Sequence, residues 1–144
     1  MDKPHLTAIT RRGPSVPIKW LDSHSLLTGR ILDFGCGKGM DAESFDMDRY
    51  DPFYSPEYPT GKYDTITCTY VLNVVDENTA DTILAEILAL LSKVGIAYLT
   101  VRRDIKKEGL TSRGTFQRNV RHVLPIMTEN SRFCIYKLQR IVST

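Results

Sequence analysis

The sequence predicts an α/β protein with three layers, in which a central sheet lies between helices. Two observations carry this prediction: strand-like and helix-like segments alternate up to about residue 102, and a strand, a turn and a second strand follow. Such alternation is typical of a parallel sheet covered by helices on both faces. The short turn near the end of the chain requires antiparallel pairing. We therefore expect a mostly parallel sheet that finishes in an antiparallel hairpin.

The first half of the chain supplies helices and strands before a proline-rich loop. The predicted elements are a helix over 15–28, a strand over 30–34, a short helix over 41–45 and the end of a strand at 49–51. Ser15 can cap the first helix, Pro17 is tolerated in its first turn, and Gly29 is expected to end it. Three prolines and a glycine make 52–62 a loop, because proline continues neither a helix interior nor a sheet ladder.

The second half completes the sheet. The predicted elements are a strand over 63–75, a helix over 80–92, a strand over 96–102, a strand over 121–127, a turn over 129–132 and a strand over 133–141. Residues 63–75 are rich in Thr, Val, Ile and Tyr, as in a strand buried on both faces. The apolar residues of 80–92 recur at helical spacing, with Asn78 or Thr79 as the expected cap and Gly95 past the end.

Length and composition indicate one domain over residues 1–144. The longest apolar stretch, 83–91, is interrupted by Glu86, so no membrane span or membrane contact is expected. The N-terminus lacks the basic and apolar regions of a signal peptide. The three cysteines are far apart and lack zinc-site spacing, so we expect no metal and a reduced, cytoplasmic protein.

Charge is segregated along the chain although the net charge is only +2. Residues 31–101 carry 4 basic and 12 acidic side chains, whereas 1–30 carry 5 and 2 and 102–144 carry 10 and 3. Two interpretations explain this pattern equally well: the charges lie on solvated surfaces, or they create an electrostatic field that serves the function. In the functional interpretation, both chain ends attract a phosphate-bearing substrate towards an acidic pocket.

A glycine-rich turn follows the first predicted strand. Asp33 stands two residues before Gly35, and Gly37 and Gly39 follow. Glycines let the backbone turn sharply and approach a ligand closely. A nicotinamide fingerprint, G-x-G-x-x-G, would require glycine where Met40 stands, which disfavours a dinucleotide oxidoreductase.

This pattern resembles the first motif of the class I, Rossmann-fold S-adenosylmethionine-dependent methyltransferases. The resemblance implies that the glycines contact the methionine part of S-adenosylmethionine and that Asp33 orients the loop or the amino group. It places Asp51 on the ribose hydroxyls, and Tyr63-Asp64 resembles the start of the family's fourth strand, whose end lies beside the methyl group. The implied cofactor-binding residues are Asp33, Gly35, Cys36, Gly37, Gly39, Asp51, Pro52, Phe53, Tyr70, Val71 and Leu72.

A closer resemblance is to the DNA phosphorothioation-associated methyltransferases. It rests on the segments 10–15, 33–37, 50–54, 71–74 and 101–104. Only the proline-rich residues 52–63 separate Asp51 from Asp64, so we expect the family's second helix and third strand to be absent, leaving the strand order 2-1-4-5-7-6. The family's third-strand contact to adenine is lost with them, and Phe53, Tyr54 or Tyr58 could stack on adenine or pack in the core.

The resemblance also implies acceptor-facing residues. Tyr70 and Asn73, at the end of the fourth family strand, are the candidate catalytic residues that position an acceptor, although a strand-end Asn often satisfies a turn. The candidate acceptor-binding residues are Arg11, Arg12, Arg102 and Arg103, with the latter two expected at the pocket rim. Asp104 could take a proton, but pairing with Arg102 or Lys106 is the favoured interpretation.

Three functions are weighed. The first is an S-adenosylmethionine-dependent methyltransferase acting on nucleic acid or a phosphate-bearing molecule. The second is a noncatalytic S-adenosylmethionine-binding module that partners a larger modification or defence protein. The third is a nicotinamide-binding oxidoreductase, which Met40 disfavours.

Overall fold

The computed structural model describes residues 13–140. The helices are α1 (Val16–Ser23), α2 (Met40–Ser44) and α3 (Glu77–Leu90), with a 3-10 turn at Leu72–Val74. The strands are β1 (Ile31–Phe34), β2 (Asp48–Tyr50), β3 (Tyr63–Thr69), β4 (Leu91–Arg102), β5 (Gly109–Leu110), β6 (Phe116–Gln117), β7 (Ile126–Glu129) and β8 (Phe133–Gln139).

Six strands of the described chain form one sheet in the order β2-β1-β3-β4-β8-β7. The pairs among β2, β1, β3 and β4 are parallel, and β8 pairs antiparallel with both β4 and β7. In the family's strand numbering this is the predicted order 2-1-4-5-7-6, so the predicted fold class is confirmed. Between β2 and β3, within the described region, the chain forms a loop with an isolated pairing of Asp51 with Ser55.

Apolar cores lie on the two faces of the sheet. Leu99 and Val101 of β4 pack with Ile87 of α3 in one cluster of buried side chains. Tyr98, which directly precedes Leu99, lies in the other cluster with Ile18 of α1. Alternate residues of a strand point to opposite faces, so β4 contributes to both cores.

Helix α1 is shorter than predicted. It ends at Ser23 rather than near residue 28, and Ser15 stands at its N-cap without a side-chain capping bond. Instead, the Ser15 hydroxyl donates to a carboxylate oxygen of Asp41 at 2.8 Å, and the Ser15 amide donates to the other at 2.7 Å. The Ser15 side chain therefore ties α1 to α2.

Helix α3 begins earlier than predicted and has a different cap. The Asp76 carboxylate accepts the Thr79 amide at 2.7 Å, so Asp76 takes the capping role predicted for Asn78 or Thr79. At the other end, α3 passes directly into β4 at Leu91, whereas the sequence predicts a strand from residue 96.

Two other predictions on strand extent are wrong. The strand that begins at Tyr63 ends at Thr69, and a 3-10 turn covers Leu72–Val74. The strand predicted over 121–127 begins only at Ile126, so His122 lies in the segment before it. In the described part of the chain, no helix is long and apolar enough to cross a membrane.

Candidate functional site

A cavity of about 850 Å³ lies at the carboxyl ends of the four parallel strands. This is where open α/β sheets bind ligands. The predicted site residues that line it are Asp33, Gly35, Cys36, Gly37, Gly39, Asp51, Pro52, Phe53, Tyr70, Val71 and Arg102. The fold thus brings together side chains from four separate segments of the sequence.

The glycine loop, residues 35–39, is held against the end of β2. The amides of Gly35 and Cys36 both donate to the Tyr50 carbonyl, at 2.7 and 2.9 Å. Gly35 has φ +82°, and a Cβ there would lie 2.4 Å from Cγ2 of Val71. Glycine is required at position 35 both by its left-handed backbone and by the close approach of Val71.

The Asp51 carboxylate joins this loop to the next turn. One carboxylate oxygen accepts the Gly37 amide at 3.0 Å, and the other accepts the amides of Phe53 and Tyr54 at 2.9 and 3.1 Å. A carboxylate offers about four acceptor positions. Asp51 therefore retains acceptor capacity towards a ligand while it organises both loops.

Asp33 lies beneath the glycine loop at the end of β1. Its side chain is buried, and one carboxylate oxygen accepts the Thr67 hydroxyl at 2.9 Å. Asp33 also lines the cavity. The structure thus places a carboxylate, oriented by the Thr67 hydroxyl, at the cavity surface.

An aromatic row lies along the β2 side of the cavity. The Tyr50 ring packs against Phe34 and Tyr58, with ring centroids 5.1 Å apart in each pair. Burial, with the negative charges of Glu86 and Asp51, raises the pKa of Tyr50 above 10.0. Of the three aromatic residues weighed for stacking on adenine, Phe53 lines the cavity, whereas Tyr54 and Tyr58 do not.

Cys36 lies in the loop but is a poor nucleophile. Burial, with the nearby charges of Asp33 and Asp51, raises the pKa of its thiol from 9.0 to about 11. The thiolate is the reactive form of cysteine. Cys36 is therefore in its neutral form near pH 7 and presents an apolar surface to the cavity.

Tyr70 adopts a backbone conformation that is unusual for an aromatic residue. Its φ is +62°, and its amide donates to the Thr100 carbonyl at 2.9 Å. The guanidinium of Arg102 lies 5.0 Å from the centre of the Tyr70 ring. Strained backbone held in place by its surroundings is concentrated at functional sites.

Arg102 is paired on its other side with Asp104. Two guanidinium nitrogens donate to the two carboxylate oxygens at 2.8 and 2.9 Å, and this contact lowers the pKa of Asp104 below 3.8. The favoured interpretation of Asp104, as the partner of Arg102, is consistent with this geometry. A carboxylate with a lowered pKa is a weak proton acceptor.

Asn73 does not reach the cavity. It is fully buried; its side-chain oxygen accepts the Arg102 amide at 2.7 Å, and its side-chain nitrogen donates to the Arg118 carbonyl at 2.9 Å. Leu72 is also fully buried and lies in the core below α3. Both side chains are occupied by structural contacts, because the chain turns into the 3-10 segment after Tyr70.

Arg103 points away from the site that Arg102 lines. Its side chain is only 8% exposed, and its guanidinium donates to Glu129, to the Val120 carbonyl and to the Tyr136 hydroxyl at 2.6–2.7 Å. The expected position of Arg103 at the pocket rim is therefore wrong, because successive residues at a strand end face opposite sides. Arg11 and Arg12 lie outside the described residues.

Sequence reasoning missed the cavity wall formed by α3 and the chain after β4. The additional lining residues include Thr79, Thr82, Ile83, Glu86, Lys106 and Lys107. Thr79, Ile83 and Glu86 recur at helical spacing and share one face of α3. Glu86, a charge within an otherwise apolar stretch, was the available signal.

Comparison with known proteins identifies the family. Residues 12–131 match a family described as a methyltransferase domain, so the chain belongs to the methyltransferase domain family. No curated protein sequence matches it.

Solved structures share the fold at low identity. The DhpI–SAH complex is 10% identical, with a TM-score of 0.53 over 85% of this chain and 86% of that chain. Magnesium protoporphyrin IX methyltransferase from Synechocystis PCC 6803 with bound SAH is 14% identical, with a TM-score of 0.51 over 84% of this chain and 78% of that chain. At these identities, the likeness establishes the architecture.

Proposed function

We propose that the chain is an S-adenosylmethionine-dependent methyltransferase domain with its cofactor in the cavity beside the glycine loop. The observation that carries the proposal is the Asp51 carboxylate, which accepts the Gly37 amide at 3.0 Å and also lines the cavity. Two structural neighbours are SAH complexes, which supports the choice of cofactor.

The residues present fit such a ligand. A cavity of about 850 Å³ lies within the range of about 300–1,000 Å³ that small-molecule sites occupy. Asp33 offers a carboxylate to the amino group of the methionine part, and Asp51 has acceptor capacity for a ribose hydroxyl. Val71 and Phe53 supply apolar surface for the base.

Catalysis in this proposal depends on position. The bound cofactor supplies a methyl group on an activated sulfonium, and an in-line displacement needs proximity and orientation above all. The strained backbone of Tyr70 and its contact with Arg102 keep the Tyr70 ring at the cavity wall. We propose that this ring positions the acceptor. Asn73 acts indirectly by anchoring the Arg102 amide.

We propose an anionic acceptor, either nucleic acid or another phosphate-bearing molecule. Three basic residues line the same cavity as Tyr70: Arg102, Lys106 and Lys107. Residues 102–121 carry seven basic and two acidic side chains, which favours association with phosphates. The resemblance to DNA phosphorothioation-associated methyltransferases makes DNA the first acceptor to test.

Two measurements test the proposal in sequence. Titration calorimetry should detect S-adenosylhomocysteine binding and no comparable binding of the nicotinamide dinucleotide. The opposite preference would contradict the proposed function. Labelled methyl transfer is then measured on DNA, RNA, protein and small-molecule pools, with Tyr70→Ala as the impaired variant. Tight cofactor binding without transfer to any pool would instead favour the noncatalytic binding module.

A further inference from the structure

Glu86 differs from the other carboxylates of the cavity in its lack of a protein donor. Five carboxylates from the described residues line the cavity: Asp33, Asp41, Asp51, Glu86 and Asp104. The first accepts the Thr67 hydroxyl, the second Ser15, the third the Gly37 amide and the last Arg102. Within residues 13–140, Glu86 has neither a hydrogen bond nor an ion pair.

Glu86 lies beside apolar and aromatic side chains. Glu86 is partly buried and shares a face of α3 with the apolar Ile83. Burial, followed by the charge of Glu86, raises the pKa of both Tyr50 and Tyr58 above 10.0, so the carboxylate faces the aromatic row. A ligand that donates a hydrogen bond can therefore bind Glu86 without displacing a protein partner.

The position of Glu86 in the cavity indicates which part of the cofactor it contacts. Tyr50 directly precedes Asp51, so Glu86 faces the end of β2, on the side where the proposed ribose contact lies. Tyr70 and Arg102, assigned to the acceptor, lie at the ends of β3 and β4. An ionised carboxylate only accepts hydrogen bonds, so the ligand group that faces it must be a donor. The aromatic row that Glu86 faces suits a planar base rather than a ribose, and the 6-amino group of adenine is a donor at the edge of that base.

The shortened topology leaves the β2 side of the cavity without a further strand end. Within the described chain, β2 is an edge strand with no strand beyond it, and a loop leads from its end to β3. This side of the cavity is therefore bounded by α3 and by Pro52 and Phe53 of the loop.

We propose that Glu86 recognises the adenine base of the cofactor by accepting a hydrogen bond from its 6-amino group. This inference rests on the proposed function. Glu86 is thus a specificity-determining residue that replaces, from α3, a contact that the missing strand cannot supply.

The test combines a change in the protein with a change in the ligand. Wild type, Glu86→Gln and the control Glu57→Gln are titrated by calorimetry with S-adenosylhomocysteine and S-inosylhomocysteine, whose ring carries oxygen in place of the 6-amino group. Glu57 is exposed in the 52–62 loop and does not line the cavity, so its variant matches the charge change.

Wild type and Glu57→Gln should prefer the adenosyl ligand by about tenfold or more, the value of one hydrogen bond to a charged group. Glu86→Gln should reduce that preference to within about threefold, because its amide can donate to the inosyl oxygen. Glu86→Ala provides the same comparison if the glutamine variant fails to fold.

Two results would overturn the inference while leaving the proposed function standing. One is an unchanged adenosyl preference in the Glu86 variants, and the other is a wild-type protein that binds both ligands equally. Binding of neither ligand by the folded wild type would contradict the proposed function itself, and the inference with it.

Discussion

The Gly37 amide donates a hydrogen bond of 3.0 Å to the Asp51 carboxylate, 14 residues further along the chain. The contact exists because β1 and β2 are parallel neighbours whose carboxyl ends, Phe34 and Tyr50, are paired in register. This hydrogen bond connects the glycine loop to the acidic residue that follows β2. This relationship is the basis of the first prediction.

Asp51→Asn should weaken S-adenosylhomocysteine binding by about 1–3 kcal/mol, the range for a hydrogen bond to a charged group. The asparagine oxygen can still accept the Phe53 and Tyr54 amides, which leaves its amino group facing the Gly37 amide. Calorimetry measures the change. Asp46→Asn is the control, because Asp46 is exposed and its φ of +54° suits asparagine. Equal affinity of both variants and wild type would show that Asp51 is not part of the cofactor site.

Gly35→Ala should destabilise the fold by about 2–4 kcal/mol. The backbone φ of +82° costs about 1–2 kcal/mol for alanine, and the contact with Val71 adds an overpacking penalty. Urea denaturation measures the loss.

A second substitution separates these two causes. In the Gly35→Ala background, Val71→Ala should recover about 1 kcal/mol or more, because it removes the methyl group that meets the new Cβ. The backbone part of the penalty should remain. Strict additivity of the two substitutions would refute the proposed clash.

Arg103→Ala should mainly lower stability, whereas Arg102→Ala should mainly lower activity. Arg103 is nearly buried and donates hydrogen bonds to Glu129, Val120 and Tyr136. Its loss should lower the free energy of unfolding by about 2–3 kcal/mol, less than for a fully buried ion pair because Glu129 is partly exposed. Arg102→Ala should change stability by about 1 kcal/mol or less but reduce methyl transfer to an anionic acceptor. Denaturation and transfer assays on the same two variants measure the contrast. A stable Arg103→Ala protein with impaired acceptor use would restore the rim position that the sequence predicted.

His122 should make stability depend on pH. Burial, with the charges of Arg118 and Arg103, lowers the pKa of His122 below 6.5 despite the opposing charge of Asp81. Below pH 6.5 the unfolded chain takes up the proton more readily than the folded protein does, so stability decreases as pH falls towards the lower folded pKa. Above pH 6.5 this contribution is fully present.

Urea denaturation between pH 5 and 8 tests this expectation, with His122→Gln as the variant that cannot titrate. The difference in unfolding free energy between wild type and variant should change below pH 6.5 and be constant above it. A constant difference over the whole range would show that His122 has equal proton affinity in both states.

Much of the architecture could be predicted because it depends on local sequence. The strand order was implied by the resemblance to the Rossmann-fold methyltransferases, together with the few residues between Asp51 and Asp64. The ends of elements were less accurate: Asp76, rather than Asn78 or Thr79, caps α3, since several residues of that segment are competent caps. Ser15 has capping chemistry, yet its hydroxyl is bound by Asp41, 26 residues away.

The predicted residues that belong to the glycine motif and the following acidic position line the cavity. Asp33, the glycines and Asp51 all line the cavity, because each stands at a strand end whose position the sheet determines. Asn73 and Arg103 were placed by their proximity in sequence to strand ends, and both make buried structural contacts. Nearness in sequence to a site did not establish orientation towards it.

The sequence by itself determined the class of fold and the glycine loop, because periodicity and glycine act within a few residues. The lost strand was inferred from the family resemblance and the short, proline-rich stretch between Asp51 and Asp64. Only the tertiary structure decided that Arg102 faces Tyr70 while Arg103 faces Tyr136, and that Glu86 of α3 lines the cavity. Those outcomes depend on which distant side chains satisfy each charge. Arg103 finds Glu129 26 residues away, whereas the described residues offer Glu86 no such partner.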